Sequence, residues 1–127
     1  MKNIVETTKA PAAIGPYSQG ILYDGKLLFV AGQLGIDPET GLMVYGGIEA
    51  ETEQAMKNLG AILDKGLSHY DKILKTTIFL TDMKNFAAVN EVYARYFSDK
   101  PPARSTVQVA GLPKGGLVEI DCIASAL

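Results

Sequence analysis

Histidine, cysteine and tryptophan are nearly missing from this chain, which has one His (His69), one Cys (Cys122) and no Trp. A lone Cys forms no intramolecular disulfide, which suits a reducing, cytoplasmic compartment. One His and one Cys do not make a His/Cys zinc site. Carboxylates could hold a hard cation, but no Asp-x-Asp-x-Asp-Gly run is present. The expectation is a protein that needs no metal and no organic cofactor. Basic runs are missing too. Lys and Arg number 12 against 14 Asp and Glu, giving a formal net charge of -2, and they are scattered. A phosphate backbone or an anionic membrane needs a basic stripe, so neither nucleic acid nor membrane is an expected partner. No stretch approaches the ~20 apolar residues of a membrane span. Met1-Lys2-Asn3-Ile4-Val5-Glu6 lacks the apolar segment of a signal peptide.

The 127 residues, 47% of them apolar, suffice for one domain spanning 1–127. Charged residues make up only 20%, which leaves more apolar surface than a small monomer hides. Self-association is therefore expected.

Periodicity predicts the elements. Lys2 to Thr7, Ser18 to Tyr23 and Lys26 to Ala31 read as strands, and Asp24-Gly25 is a two-residue hairpin signal. Gly32 to Gly47 reads as a long connection. Glu49 to Leu67 reads as a helix, with Ala55, Met56, Leu59, Ile62 and Leu63 at three- and four-residue spacing and Gly66 marking its end. Ile73 to Leu80 is a strand, and Asn85 to Phe97 is a second helix stopped by Pro101-Pro102. Ser105 to Val109 and Leu117 to Ala126 are the last strands. The order β-ββ-α-β-α-ββ defines an α+β protein. Two helices cover one sheet face. Phe79 and Ile123 fall on the other, which further subunits would cover.

On the last strand Val118, Ile120, Cys122 and Ala124 share one face, and Glu119 and Asp121 share the other. Cys122 reads as a small buried hydrophobe. A carboxylate at Glu119 is costly in an interface unless paired or functional. Arg104 opens a strand after two prolines. Alternation groups it with Thr106 and Gln108 toward the subunit-covered side, and assigns Val107 to the core. Its guanidinium suits either a ligand carboxylate or a salt bridge, Glu119 being one partner. Tyr17 could wall a pocket or be an ordinary half-buried tyrosine. Asn90, mid-helix, has a role or sits on a solvated face. His69 has no apparent partner. Ser105 lacks a His/Asp companion, and Gly46-Gly47 and Gly115-Gly116 lack the context of phosphate loops.

Taken together, Ala10 to Gly20, Ala31-Gly32-Gln33, Lys75 to Phe79, Phe86 to Asn90, Pro102-Ala103-Arg104-Ser105 and Leu112-Pro113-Lys114 with Glu119 resemble the reactive intermediate deaminase (Rid) family. The resemblance runs from about residue 8 to the end. It implies a chorismate-mutase-like fold, a six-stranded, mostly antiparallel sheet with two helices on one face. It also implies a homotrimer whose other faces form a central barrel, with ligand clefts between subunits. Archetypal members hydrolyse 2-imino acids or their enamines (2-iminobutanoate, 2-iminopropanoate) to 2-keto acids and ammonia. These compounds come from pyridoxal-phosphate dehydratases. Carried over, Arg104 binds the substrate carboxylate, Glu119 positions the water, and Tyr17 and Asn90 line the site. Two positions depart. Many members have Ser where this chain has Ala31, so a hydroxyl is lost and a backbone carbonyl remains. Many have Cys where this chain has Thr106, which excludes a thiol mechanism there and leaves a backbone N–H. The alternatives are a non-catalytic trimer that senses small acids or binds protein, and an RNA-cleaving translation inhibitor.

Overall fold

Asp24 and Gly25 take left-handed backbone angles, φ 52° and 64°. The turn joins β2 (Gly20–Tyr23) to β3 (Leu27–Leu34), as the Asp-Gly signal predicts. The structure, a computed structural model, describes residues 1–126. β1 (Lys2–Val5) adds to β2, and β6 (Val118–Ser125) lies beside β3. β4 (Ile73–Leu80) pairs with β6, and β5 (Ala103–Gln108) closes the far edge. The six-stranded order is β1-β2-β3-β6-β4-β5, antiparallel everywhere except β4–β5. A parallel pair needs a crossover, and α2 (Phe86–Ala94) supplies it.

α1 (Gly47–Lys65) packs across β3 and β6 and against α2. Its buried stripe is the predicted one: Ala55, Met56, Leu59, Ile62 and Leu63 are fully buried. They meet Leu28, Ile78, Leu80, Val118 and Ile120 from the sheet. Each large side chain so buried contributes about 1.5–3 kcal/mol. The sheet's other face stays open, with Phe29 41% exposed and Phe79 and Ile123 half-buried.

Among the departures from expectation, three bear on the site or on packing. β3 runs on through Gly32, Gln33 and Leu34, because a register shift between Val30 and Gln33 lets the strand bend and continue pairing with β6. α2 is shorter than predicted. A single 3-10 turn (Met83–Asn85), capped by the Asp82 side chain, precedes it, and it stops at Ala94. The left-handed residue after α1 is Leu67 (φ 65°), not Gly66. Gly66 answers to packing instead, since a Cβ there would lie 2.6 Å from Leu28 Cδ2.

The face assigned to β5 is corrected. In the parallel ladder Arg104 stands opposite Thr76, Thr106 opposite Ile78 and Gln108 opposite Leu80. Residues in register share a face, and those three β4 residues are fully buried beneath the helices. Arg104 and Thr106 therefore face the helix side. Val107, 41% exposed, lies beside Phe79 on the open side. Alternation gave the right period but the wrong phase, because an edge strand buries little on either face.

Candidate active site

Glu119 leaves β6 on the open face, between Leu34 of β3 and Phe79 of β4. The bend in β3 brings Gly32 against it. A methyl at position 32 would lie 2.7 Å from Glu119 Cδ and 3.0 Å from Oε2. A strand glycine often marks such a close backbone approach. The carboxylate looks into a cleft of about 420 Å³ whose walls include Ile14, Tyr17, Gln33, Leu34 and Lys114. Loss of water around the carboxyl, and then the negative charge of Asp121, push the Glu119 pKa above its ordinary value. Ala31 stands at the bend. Its N–H donates to the Gln19 carbonyl at 2.9 Å, and its own carbonyl accepts from Gln33 Nε2 at 3.1 Å.

Helix-side contacts carried by α1 brace this cleft. Asn58, fully buried, donates to the carbonyls of Leu34 (3.0 Å) and Ile36 (2.8 Å). Glu51 Oε1 accepts from the Leu117 N–H at 2.8 Å, two residues before Glu119. Both side chains satisfy backbone groups that would otherwise be orphaned in the interior.

Arg104 lies elsewhere, at the β5 edge beneath α2. Its Nη1 donates to Asn90 Oδ1 at 2.6 Å. Its guanidinium carbon sits 5.2 Å from the Tyr93 ring centre and 5.6 Å from that of Phe86. Asn90, Tyr93, Phe97, Pro101 and Arg104 line a second cleft of about 290 Å³. Among the described residues Arg104 forms no salt bridge, so the Arg104–Glu119 pair is not made within one chain. Beside it, Thr106 Oγ1 is buried without a hydrogen-bond partner among the described residues.

The six candidates thus fall into two groups. Tyr17, Ala31 and Glu119 gather on the open face, while Arg104, Asn90 and Thr106 gather on the helix side. Sequence reasoning missed Gly32, Lys114, Phe86 and Tyr93 as neighbours of the site. For Gly32 the signal was a glycine beside an apolar strand. For the two rings it was the spacing Phe86, Asn90, Tyr93 (i, i+4, i+7), which stacks them on one helix stripe. Cys122 is buried, and burial pushes its thiol up to about 12, which agrees with a packing role. His69 does have a partner, Asp71 Oδ1 at 3.0 Å, in an exposed turn.

A sheet with helices on one face, an exposed cationic fork in one cleft and a partly dehydrated carboxyl in another define a small α+β protein. Residues 7–126 match the family described as Endoribonuclease L-PSP, and the chain belongs to that family. The 2-iminobutanoate/2-iminopropanoate deaminase of Mus musculus is 48% identical over 98% of this chain and 91% of its own length. Reactive Intermediate Deaminase A, chloroplastic, of Arabidopsis thaliana is 51% identical over 98% of this chain and 66% of its own. A solved Yersinia pestis protein of unknown function from the conserved Rid family superposes with a TM-score of 0.95 at 50% identity, covering 99% of this chain and 100% of that one. The resemblance read from the motifs and the expected fold are both borne out. No helix among the described residues is long and apolar enough to cross a membrane.

Proposed function

We propose that this chain is a hydrolytic deaminase of reactive 2-imino acids and their enamines, giving a 2-keto acid and ammonia. The observation that carries this is its near full-length similarity to proteins named 2-iminobutanoate/2-iminopropanoate deaminase. The site residues suit the chemistry. A protonated 2-imino acid has an electrophilic carbon beside a carboxylate. Arg104 holds that carboxylate through a charge-assisted fork. Ionised Glu119 takes a proton from water as the water oxygen bonds to C2 and the C=N electron pair moves to nitrogen. The carbinolamine then collapses: Glu119 returns the proton to nitrogen, the C–N bond breaks as the hydroxyl oxygen forms the keto C=O and gives its own proton to Glu119, and ammonia carries that proton away as ammonium. A carboxyl with a raised pKa suits both steps. Tyr17 walls the Glu119 side of the cleft. Asn90 orients Arg104 rather than reaching the ligand by itself.

Arg104 and Glu119 sit on opposite sides of one sheet, so we place the working cleft between copies. The open face of one copy lies beside the β5 edge and α2 of the next, and a homotrimer closes such a head-to-tail contact. Apolar Phe29, Phe79 and Ile123 on that open face support its being covered. The substrate's origin is a pyridoxal-phosphate dehydratase in the same reducing, cytoplasmic compartment.

The test is release of 2-keto acid from 2-iminobutanoate generated by threonine dehydratase. Addition of the wild-type chain accelerates release, and Arg104→Ala removes the acceleration. An unaccelerated wild-type reaction would overturn the proposal. One observation favours a second activity, the family's description as an endoribonuclease. Cleavage of RNA by the purified chain that vanishes in Glu119→Gln would establish it.

A further inference from the structure

Arg104 is the only residue of its cleft with formal charge, yet it projects from an edge strand into a region open to water. A free arginine side chain there samples many rotamers and loses that freedom on binding. Three contacts restrain this one. Asn90 takes one guanidinium N–H, and the faces of Phe86 and Tyr93 lie near the guanidinium carbon. The rings are themselves placed. Phe86, Asn90 and Tyr93 share one stripe of α2, so one short helix carries all three. Tyr93 Oη hydrogen-bonds Thr76 Oγ1 at 2.8 Å, and Thr76 is the residue paired with Arg104 in the β4–β5 ladder. The strand paired with the arginine's own thus holds the ring beside it. Tyr93 further packs on Phe97, with ring centres 4.7 Å apart.

We infer that Phe86 and Tyr93 are positioning residues for Arg104: their rings, with Asn90, hold the guanidinium in one orientation before ligand arrives and leave its remaining N–H groups for a carboxylate. This deepens the deaminase proposal and rests on it for the identity of the ligand. Tyr93 also belongs to the buried core, so a packing role alone could explain its presence. Phe86 separates the two ideas. It is 37% exposed and lies outside the core cluster, so packing within the chain's core does not account for its ring. The electron-rich face of an aromatic ring attracts a flat cation in a way that an aliphatic side chain of similar size does not.

The experiment compares Phe86→Leu with Phe86→Tyr by two readouts. The first is the Arg104 Nε–Hε NMR signal of the ligand-free protein, assigned by its loss in Arg104→Lys. In the wild type and in Phe86→Tyr the signal is expected shifted by the ring currents and rigid by its heteronuclear NOE. In Phe86→Leu it moves toward the free-arginine position and becomes mobile. The second is the kinetics on 2-iminobutanoate. Phe86→Leu raises KM and lowers kcat/KM roughly two- to fivefold with kcat little changed, while Phe86→Tyr stays near wild type. A mobile Arg104 signal in the wild type, or identical behaviour of the Leu and Tyr variants, would overturn the inference. The NMR readout needs no turnover, so failure of the deaminase proposal remains separate from failure of this one.

Discussion

At Glu119 the chain keeps a carboxylate short of partners, whereas at Arg104 it surrounds a cation with them. Burial of the Glu119 carboxyl and the like charge of Asp121 disfavour its ionised form. Arg104 meets an amide oxygen and two ring faces, each of which suits its charge. The difference suits the roles we propose for the two groups. A group that exchanges a proton gains from a pKa moved toward neutrality. A group that only binds gains from permanent charge and fixed geometry. The two environments also lie on opposite sides of a single sheet, which is why we propose that the working cleft forms between copies.

The sharpest way to break this comparison is to remove either group. Arg104→Ala is expected to lower kcat/KM roughly 10²–10³-fold, the usual penalty for leaving a bound charge unpaired. Steady-state kinetics on the coupled imine checks it. Glu119→Gln is expected to lower kcat roughly 10²–10⁴-fold with KM little changed, the pattern for loss of a proton carrier. Its stability should move the other way. A raised folded-state pKa means that the neutral carboxyl is the form folding favours. Glu119's contribution is therefore present at low pH and lost as pH rises through its folded pKa. At neutral pH the Gln variant should melt no lower than wild type, and the gap should close in acid. Wild-type kcat should rise with pH along a limb lying above the ordinary glutamate range, because the base must be ionised.

Smaller changes sharpen the contrast. Gly32→Ala keeps an allowed backbone but pushes its methyl into the Glu119 carboxyl, whose flexible end is the part that gives way. A roughly tenfold to hundredfold fall in kcat with an unaltered fold is expected, checked by kinetics beside circular dichroism. The smallest effect is expected outside both clefts. Leu67 holds φ 65° after α1, where glycine is unstrained. Leu67→Gly should raise stability by about 0.5–1 kcal/mol in urea unfolding and leave kcat/KM unchanged.

Much of this molecule was legible in its residues. The three- and four-residue apolar spacing of Ala55 to Leu63 gave α1, and Asp24-Gly25 gave the hairpin, since both depend on local chemistry alone. The motifs around Tyr17, Arg104 and Glu119 gave the family. What failed was the side of the sheet on which Arg104 stands. Phase on an edge strand is set by its partner strand and by α2 above it, not by its own six residues, of which Val107 is the only large aliphatic one. The extension of β3 through Gly32 escaped for a similar reason. A bend that breaks alternation is recognised only when the opposing strand is known. Asn90 was expected to line the site, and it stands hydrogen-bonded to Arg104.

The central claim is that Arg104 of one copy works with Glu119 of another, and subunit complementation tests it most directly. Arg104→Ala and Glu119→Gln, each inactive alone, are unfolded together in equal amounts, refolded and assayed on 2-iminobutanoate. Random mixing of two chains in a head-to-tail ring rebuilds intact clefts at about one quarter of the positions. Recovery of about that share of wild-type activity is expected. A mixture that reassembles into mixed oligomers yet stays as inactive as its parents would contradict the claim.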